Sequence, residues 1–126
     1  MNVFVIGAGV FGTAISNELS LNSDNKVLLY ARSKKKVQEI NNSNTNTNYL
    51  PNKILSTCFN ATNNPQEIKR ADLIFIALPS YAIAEVIDKF KALINKDQIV
   101  INLSKGIFKS GQFIIDYLFK NLDTEN

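Results

Sequence analysis

Residues 2–12 read N-V-F-V-I-G-A-G-V-F-G, an apolar run that ends at the first of three glycines spaced G-x-G-x-x-G. Val, Phe, Val and Ile without alternation predict a strand covered on both faces. The glycines behind it predict a tight turn into a helix. Gly7 lets the chain turn sharply, Gly9 has no Cβ to hold off a pyrophosphate, and Gly12 lets the helix lie close to the sheet. The first N–H groups of that helix lack intrahelical partners and sit at the positive end of its dipole, which suits an anion. A merely structural strand-to-helix turn is the competing reading of the same residues.

The rest of the chain repeats the alternation. Phe11 to Leu21 places Ala14, Ile15, Leu19 and Leu21 at helical intervals, and "KVLLYAR" (26–32) predicts a second strand. Ser33 offers an N-cap for a helix over 34–42 with Val37 and Ile40 as its apolar stripe. The Asn- and Thr-rich stretch "NNSNTNTNYLPN" (41–52) predicts a solvated loop, and "ILST" (54–57) a short strand. One or two helical turns at 65–69 precede the hydrophobic strand "DLIFIAL" (72–78). Pro79-Ser80 opens a helix reaching Leu93, with Ile83, Val86, Ile87 and Phe90 in helical period. "QIVINL" (98–103) is a further strand, and 110–121 carry the helical pattern Phe113, Ile114, Tyr117, Leu118. Strands alternating with helices predict an α/β fold with a doubly wound, mostly parallel sheet. The polar stretch "NLDTEN" (121–126) reads as a frayed end, or as the point where a longer chain has been cut.

Composition narrows the chemistry. At 126 residues and 45% hydrophobic, the chain is one domain's worth of sequence. It has no histidine and a single cysteine, Cys58, so zinc clusters, internal disulfides and imidazole acid–base catalysis are excluded. Cys58, beside Phe59 and without a nearby base, is expected to be a small buried hydrophobe. A net charge of +3 suits a small anion and is too weak to argue for nucleic acid. The apolar opening breaks at Gly7, too early for a signal peptide or a membrane span, so a reducing cytoplasm is expected.

The end of the second strand sets the form of dinucleotide. An NAD site places a carboxylate there for the ribose hydroxyls, whereas this chain has Arg32, Ser33 and Lys34. A guanidinium can hold a 2′-phosphate by two parallel bonds, so Arg32 points to NADPH, with NADH as the weaker alternative. Lys35 and Lys36 are expected only to solubilise their helix.

Four separated stretches, "GAGVFGTAIS", "NTNYLPN", "ALPSYAIAEV" and "SKGI", resemble in order and spacing the N-terminal half of bacterial NAD(P)-dependent glycerol-3-phosphate dehydrogenases. The resemblance implies a Rossmann-type dinucleotide-binding domain, here residues 1–126, taken from a longer enzyme whose helical substrate domain is absent. It implies interconversion of dihydroxyacetone phosphate and sn-glycerol 3-phosphate for phospholipid synthesis, in the cytoplasm, by a full-length homodimer. By position, the resemblance gives Gly7, Gly9, Val10, Phe11 and Gly12 to the cofactor's pyrophosphate and nicotinamide. It gives Arg32 and Ser33 to the adenosine phosphate, and Tyr49, Pro79 and Ser80 to the surrounding cofactor site. Lys105 would contact both cofactor and substrate, while the proton-transferring lysine lies beyond this chain. Two positions depart from the family: Val10 stands where Ser is common, and Phe108 where Glu is usual. A ketopantoate-reductase-like or 6-phosphogluconate-dehydrogenase-like reductase, and a non-catalytic NADPH-binding module, are the alternatives.

Overall fold

In the computed structural model, which describes residues 1–122, the opening run forms strand β1 (Asn2–Ile6) and leads through the glycine turn into helix α1 (Val10–Leu19). Strand β2 (Lys26–Tyr30), helix α2 (Lys34–Ser43), strand β3 (Phe59–Thr62) and a 3₁₀ turn (Pro65–Arg70) follow. Strand β4 (Leu73–Ile76), helix α3 (Ser80–Phe90), strand β5 (Ile99–Asn102) and helix α4 (Ile114–Asn121) complete the order. All pairings are parallel, and the sheet runs β3-β2-β1-β4-β5. The doubly wound α/β reading therefore holds.

Period-two alternation of the strands separates two cores. Val3 and Val5 of β1 join Val27, Leu29, Phe59, Ala61 and Ile40 on one face. Phe4 and Ile6 join Ile74, Ile76, Ile83, Ile87, Phe90 and Leu118 on the other. Tyr30 and Phe90 meet edge-on with centroids 4.9 Å apart, and Lys89 Nζ donates to the Tyr30 hydroxyl at 2.6 Å, which satisfies the polar end of a buried ring. Buried Gln98 performs the same service for backbone: its amide donates to the carbonyls of Ile68 and Ala71 at 2.7 and 2.8 Å.

Four expectations are corrected. The third strand is Phe59–Thr62 and not 54–57, because Phe59 and Ala61 alternate inward in register with Val27 and Leu29. Leu55 is buried all the same, within a loop. Cys58 is exposed, in the turn that leads into β3. The buried stripe of α1 is Gly12, Thr13, Ser16 and Asn17, with Ile15 and Leu19 only partly buried and Leu21 65% exposed. Small and polar residues serve there because Gly12 brings the helix onto the backbone of the turn and the 44–56 segment lies along it. Asn17 Oδ1 accepts from Ser56 N–H at 2.8 Å. Finally, the Asn-rich run is not merely solvated: α2 extends to Ser43, Asn44 closes it at φ 51°, and Asn46 is fully buried. The reading of the terminal stretch falls mostly on residues 123–126, outside those described.

Candidate functional site

From β1 the chain winds to β2 and β3 on one side, then crosses to β4 and β5 on the other. The crevice between the carboxyl ends of β1 and β4 is therefore the switch point at which such sheets take ligands. A cavity of about 510 Å³ lies at that edge, large enough for a substantial ligand.

The three glycines of the motif meet three different surroundings. Gly7 has φ 116°, a conformation side chains rarely adopt, and a Cβ there would strike the Ala77 carbonyl. At Gly12 a Cβ would overlap the Gly7 carbonyl, so this residue lies under the turn and does not line the cavity. Gly9 differs from both. Its φ of −81° and ψ of −167° suit any residue, and nothing lies within 4 Å of the place its Cβ would take. Neither conformation nor internal packing explains a glycine at this position, where the chain enters α1 and faces the cavity. Beside it, Val10 and Phe11 present exposed side chains to the same cavity.

At the β2 end, Arg32 lines the cavity and pairs loosely with Glu85 at 3.5 Å, both side chains being largely exposed. Such a pair adds little stability, and it leaves the guanidinium movable. Ser33 caps α2, its hydroxyl accepting from the Lys36 N–H at 3.4 Å. Tyr49 and Pro79 line the cavity; Ser80 does not, and the exposed Tyr81 takes that place. Lys105 lies at the opposite end, immediately after Ser104. Ser104 Oγ accepts from Leu78 N–H at 3.1 Å and donates to the Ile76 carbonyl at 3.4 Å. Those two bonds tie the exits of β4 and β5 together and fix where Lys105 begins. Arg32, Lys36 and Lys105 all line the cavity, and among the described residues no carboxylate does. Its field favours an anion.

Sequence reasoning missed two residues that build this site. Asn46 lies inside the run expected to be solvated, yet its amide donates to the Ala8 carbonyl at 3.1 Å and to Thr13 Oγ1 at 2.8 Å. It thereby clamps the glycine turn to the loop above it. Its place at the head of N-x-x-Y-L-P was the available signal. Lys36, expected only to solubilise α2, lines the cavity; its spacing of three from the capping serine was the clue.

Glu39 orders the same loop. Its Oε1 accepts from Thr47 N–H at 2.6 Å, Thr47 Oγ1 at 2.8 Å and Thr45 Oγ1 at 3.3 Å. The backbone and side-chain bonds from Thr47 hold its carboxyl below the usual carboxylate value. Because the folded value is depressed, the loop's anchoring is complete above the ordinary Glu range and is lost as pH falls through the folded value. An NMR titration should show the Thr47 amide moving upfield at a pH below that of an unperturbed glutamate. A midpoint at the ordinary value would contradict this anchoring.

The profile of the family described as the NAD-dependent glycerol-3-phosphate dehydrogenase N-terminus matches residues 2–126. A glycerol-3-phosphate dehydrogenase [NAD(P)+] of Clostridium acetobutylicum is 36% identical over 125 residues, covering 94% of this chain and 37% of its own length. That of Rickettsia bellii is 35% identical over 125 residues, covering 99% and 40%. The crystal structure of the Coxiella burnetii glycerol-3-phosphate dehydrogenase superposes with TM-score 0.87 at 26% identity, over 98% of this chain and 38% of that one. The chain thus spans less than half the length of these relatives. No helix among the described residues is long and apolar enough to cross a membrane.

Proposed function

This chain belongs to the NAD-dependent glycerol-3-phosphate dehydrogenase family through its N-terminal domain, and from that premise we propose that it is the dinucleotide-binding part of such an enzyme. The reaction is the reduction of dihydroxyacetone phosphate to sn-glycerol 3-phosphate, with NADPH preferred and NADH accepted more weakly. Gly9 is the observation that carries the reading: a glycine without internal reason, at the mouth of α1, in a cavity lined by cations. A pyrophosphate lying over it would meet the unpaired leading amides of α1.

The dinucleotide, when bound, supplies the hydride. What the chain contributes is position and charge. The turn and Asn46 hold the backbone that would bind the pyrophosphate. Lys105, starting from the Ser104 tie, adds positive charge at the edge where a ketone oxygen would become an alkoxide. The substrate's phosphate clamp and the proton donor belong, on this reading, to a helical domain beyond these residues. Placement in the cytoplasm, a homodimeric full-length protein and a role in phospholipid synthesis rest on the family resemblance.

Calorimetric titration of this chain with NADPH and NADH tests the reading, and saturable binding of NADPH is the expected result. Absence of binding by either would sink it. Arg32→Ala should weaken NADPH about tenfold, the loss expected for one charge-assisted bond at an exposed site, and leave NADH nearly unchanged. Equal losses would show that Arg32 does not read the 2′-phosphate.

A further inference from the structure

Lys34, Lys35 and Lys36 are adjacent in sequence, but the fold separates them. Lys34 and Lys35 are exposed and take no part in the cavity, while Lys36 is partly buried and lines it. Three residues past the capping Ser33, it returns to that residue's side of the helix. Its ammonium is then held in place. Nζ donates to Asn46 Oδ1 at 2.8 Å and stands 4.8 Å from the centroid of the Tyr49 ring. Because the Asn46 amide is itself bonded to Ala8 and Thr13, one side chain ties this cation to the glycine turn.

An ammonium carries three donors, and Asn46 uses one. Two remain: the Glu39 carboxylate, three residues on, lies near enough to feel the Lys36 charge, but among the described residues no direct ion pair consumes them. Arg32 pairs directly with Glu85 at 3.5 Å, and its side chain is 70% exposed. A cation already fixed loses less rotamer freedom on binding than one that swings in solvent. In a sheet of this topology the adenosine ribose lies between the turn after β1 and the end of β2. The link from Ala8 through Asn46 to Lys36 crosses that interval.

We infer that Lys36 is a specificity-determining residue, selecting a dinucleotide whose adenosine ribose carries a 2′-phosphate over one that lacks it. This rests on the dinucleotide reading proposed above. A 2′-phosphate brings close to two negative charges, which one mobile arginine leaves incompletely met and a second, fixed cation completes. The rival role, a contact to the pyrophosphate common to both cofactors, predicts a different pattern of losses.

The test titrates NADPH, NADH, 2′,5′-ADP and ADP into the wild-type chain, Lys36→Met and Lys36→Arg, with circular dichroism to follow folding. Lys36→Met should weaken NADPH and 2′,5′-ADP about 10- to 100-fold and change NADH and ADP by less than about twofold. Lys36→Arg should regain most of the NADPH affinity. Equal losses for NADPH and NADH would assign Lys36 to the pyrophosphate and overturn the inference, as would unchanged binding of all four. If Lys36→Met fails to fold, Lys36→Gln replaces it with the same expectations. A wild-type chain that binds none of the four ligands would overturn the dinucleotide reading itself, and this inference with it. Wild-type binding with no selective loss in the variants overturns the inference alone.

Discussion

Gly12→Val is expected to lower the melting temperature markedly, whereas Gly9→Val should fold normally and lose at least about 100-fold in dinucleotide affinity. The two glycines are three residues apart in one motif, and the contrast follows from what each faces. A side chain at position 12 would occupy the space of the Gly7 carbonyl, which belongs to backbone already fixed at φ 116°. That carbonyl cannot turn aside as a flexible side chain could, so α1 must lift off the sheet and the packing beneath it opens. Overpacking of this kind costs about 3 kcal/mol or more, a large part of a total stability of roughly 5–15 kcal/mol. At position 9 the conformation is ordinary and the space is open, so the folded state tolerates valine. The same isopropyl group would stand between the leading amides of α1 and a pyrophosphate. Thermal unfolding followed by circular dichroism, with calorimetric titration of NADPH, checks both halves. Wild-type affinity in Gly9→Val would remove the phosphate reading, and an unaltered melting temperature in Gly12→Val would refute the packing argument.

The second large effect concerns Lys105. Residues 1–126 alone should give no oxidation of NADPH by dihydroxyacetone phosphate above background. Reduction of a ketone needs a proton donor, a hold on the substrate and exclusion of water, and one exposed lysine cannot supply all three. Joined to the remainder of the Clostridium acetobutylicum relative, the chain should turn over. Lys105→Ala in that chimera should then lower kcat/KM by about 100- to 1,000-fold, the scale seen when one stabilising group at a developing oxyanion is removed. Lys105→Arg should recover part of the rate, because the charge returns with a different reach. Robust turnover by residues 1–126 would mean that a complete active site lies within this chain. A chimera indifferent to Lys105→Ala would remove the lysine from the reaction.

The sequence by itself determined the α/β class and the parallel sense of the sheet. The reason is local: "NVFVI", "KVLLY" and "LIFI" are apolar runs that only a twice-covered strand accommodates, and glycine spacing constrains the turn between neighbours in the chain. Gly7, Gly9, Arg32 and Lys105 were legible as candidates because each lies within three residues of the carboxyl end of a strand. Tertiary structure decided whatever depends on residues brought from elsewhere. Strand β3 formed at Phe59–Thr62 because the register with β2 rewards Phe59 and Ala61, while Leu55 found its burial in a loop. Asn46 looked like one more polar residue in a polar run. It is buried because Ala8 and Thr13, 38 and 33 positions away, supply the partners that make burial of an amide affordable. Lys36 shares its chemistry with Lys34 and Lys35, and in the sequence only its spacing of three from Ser33 sets it apart. Only the folded chain, by setting Asn46 and Tyr49 against one of the three, gives that ammonium a fixed place at the cavity.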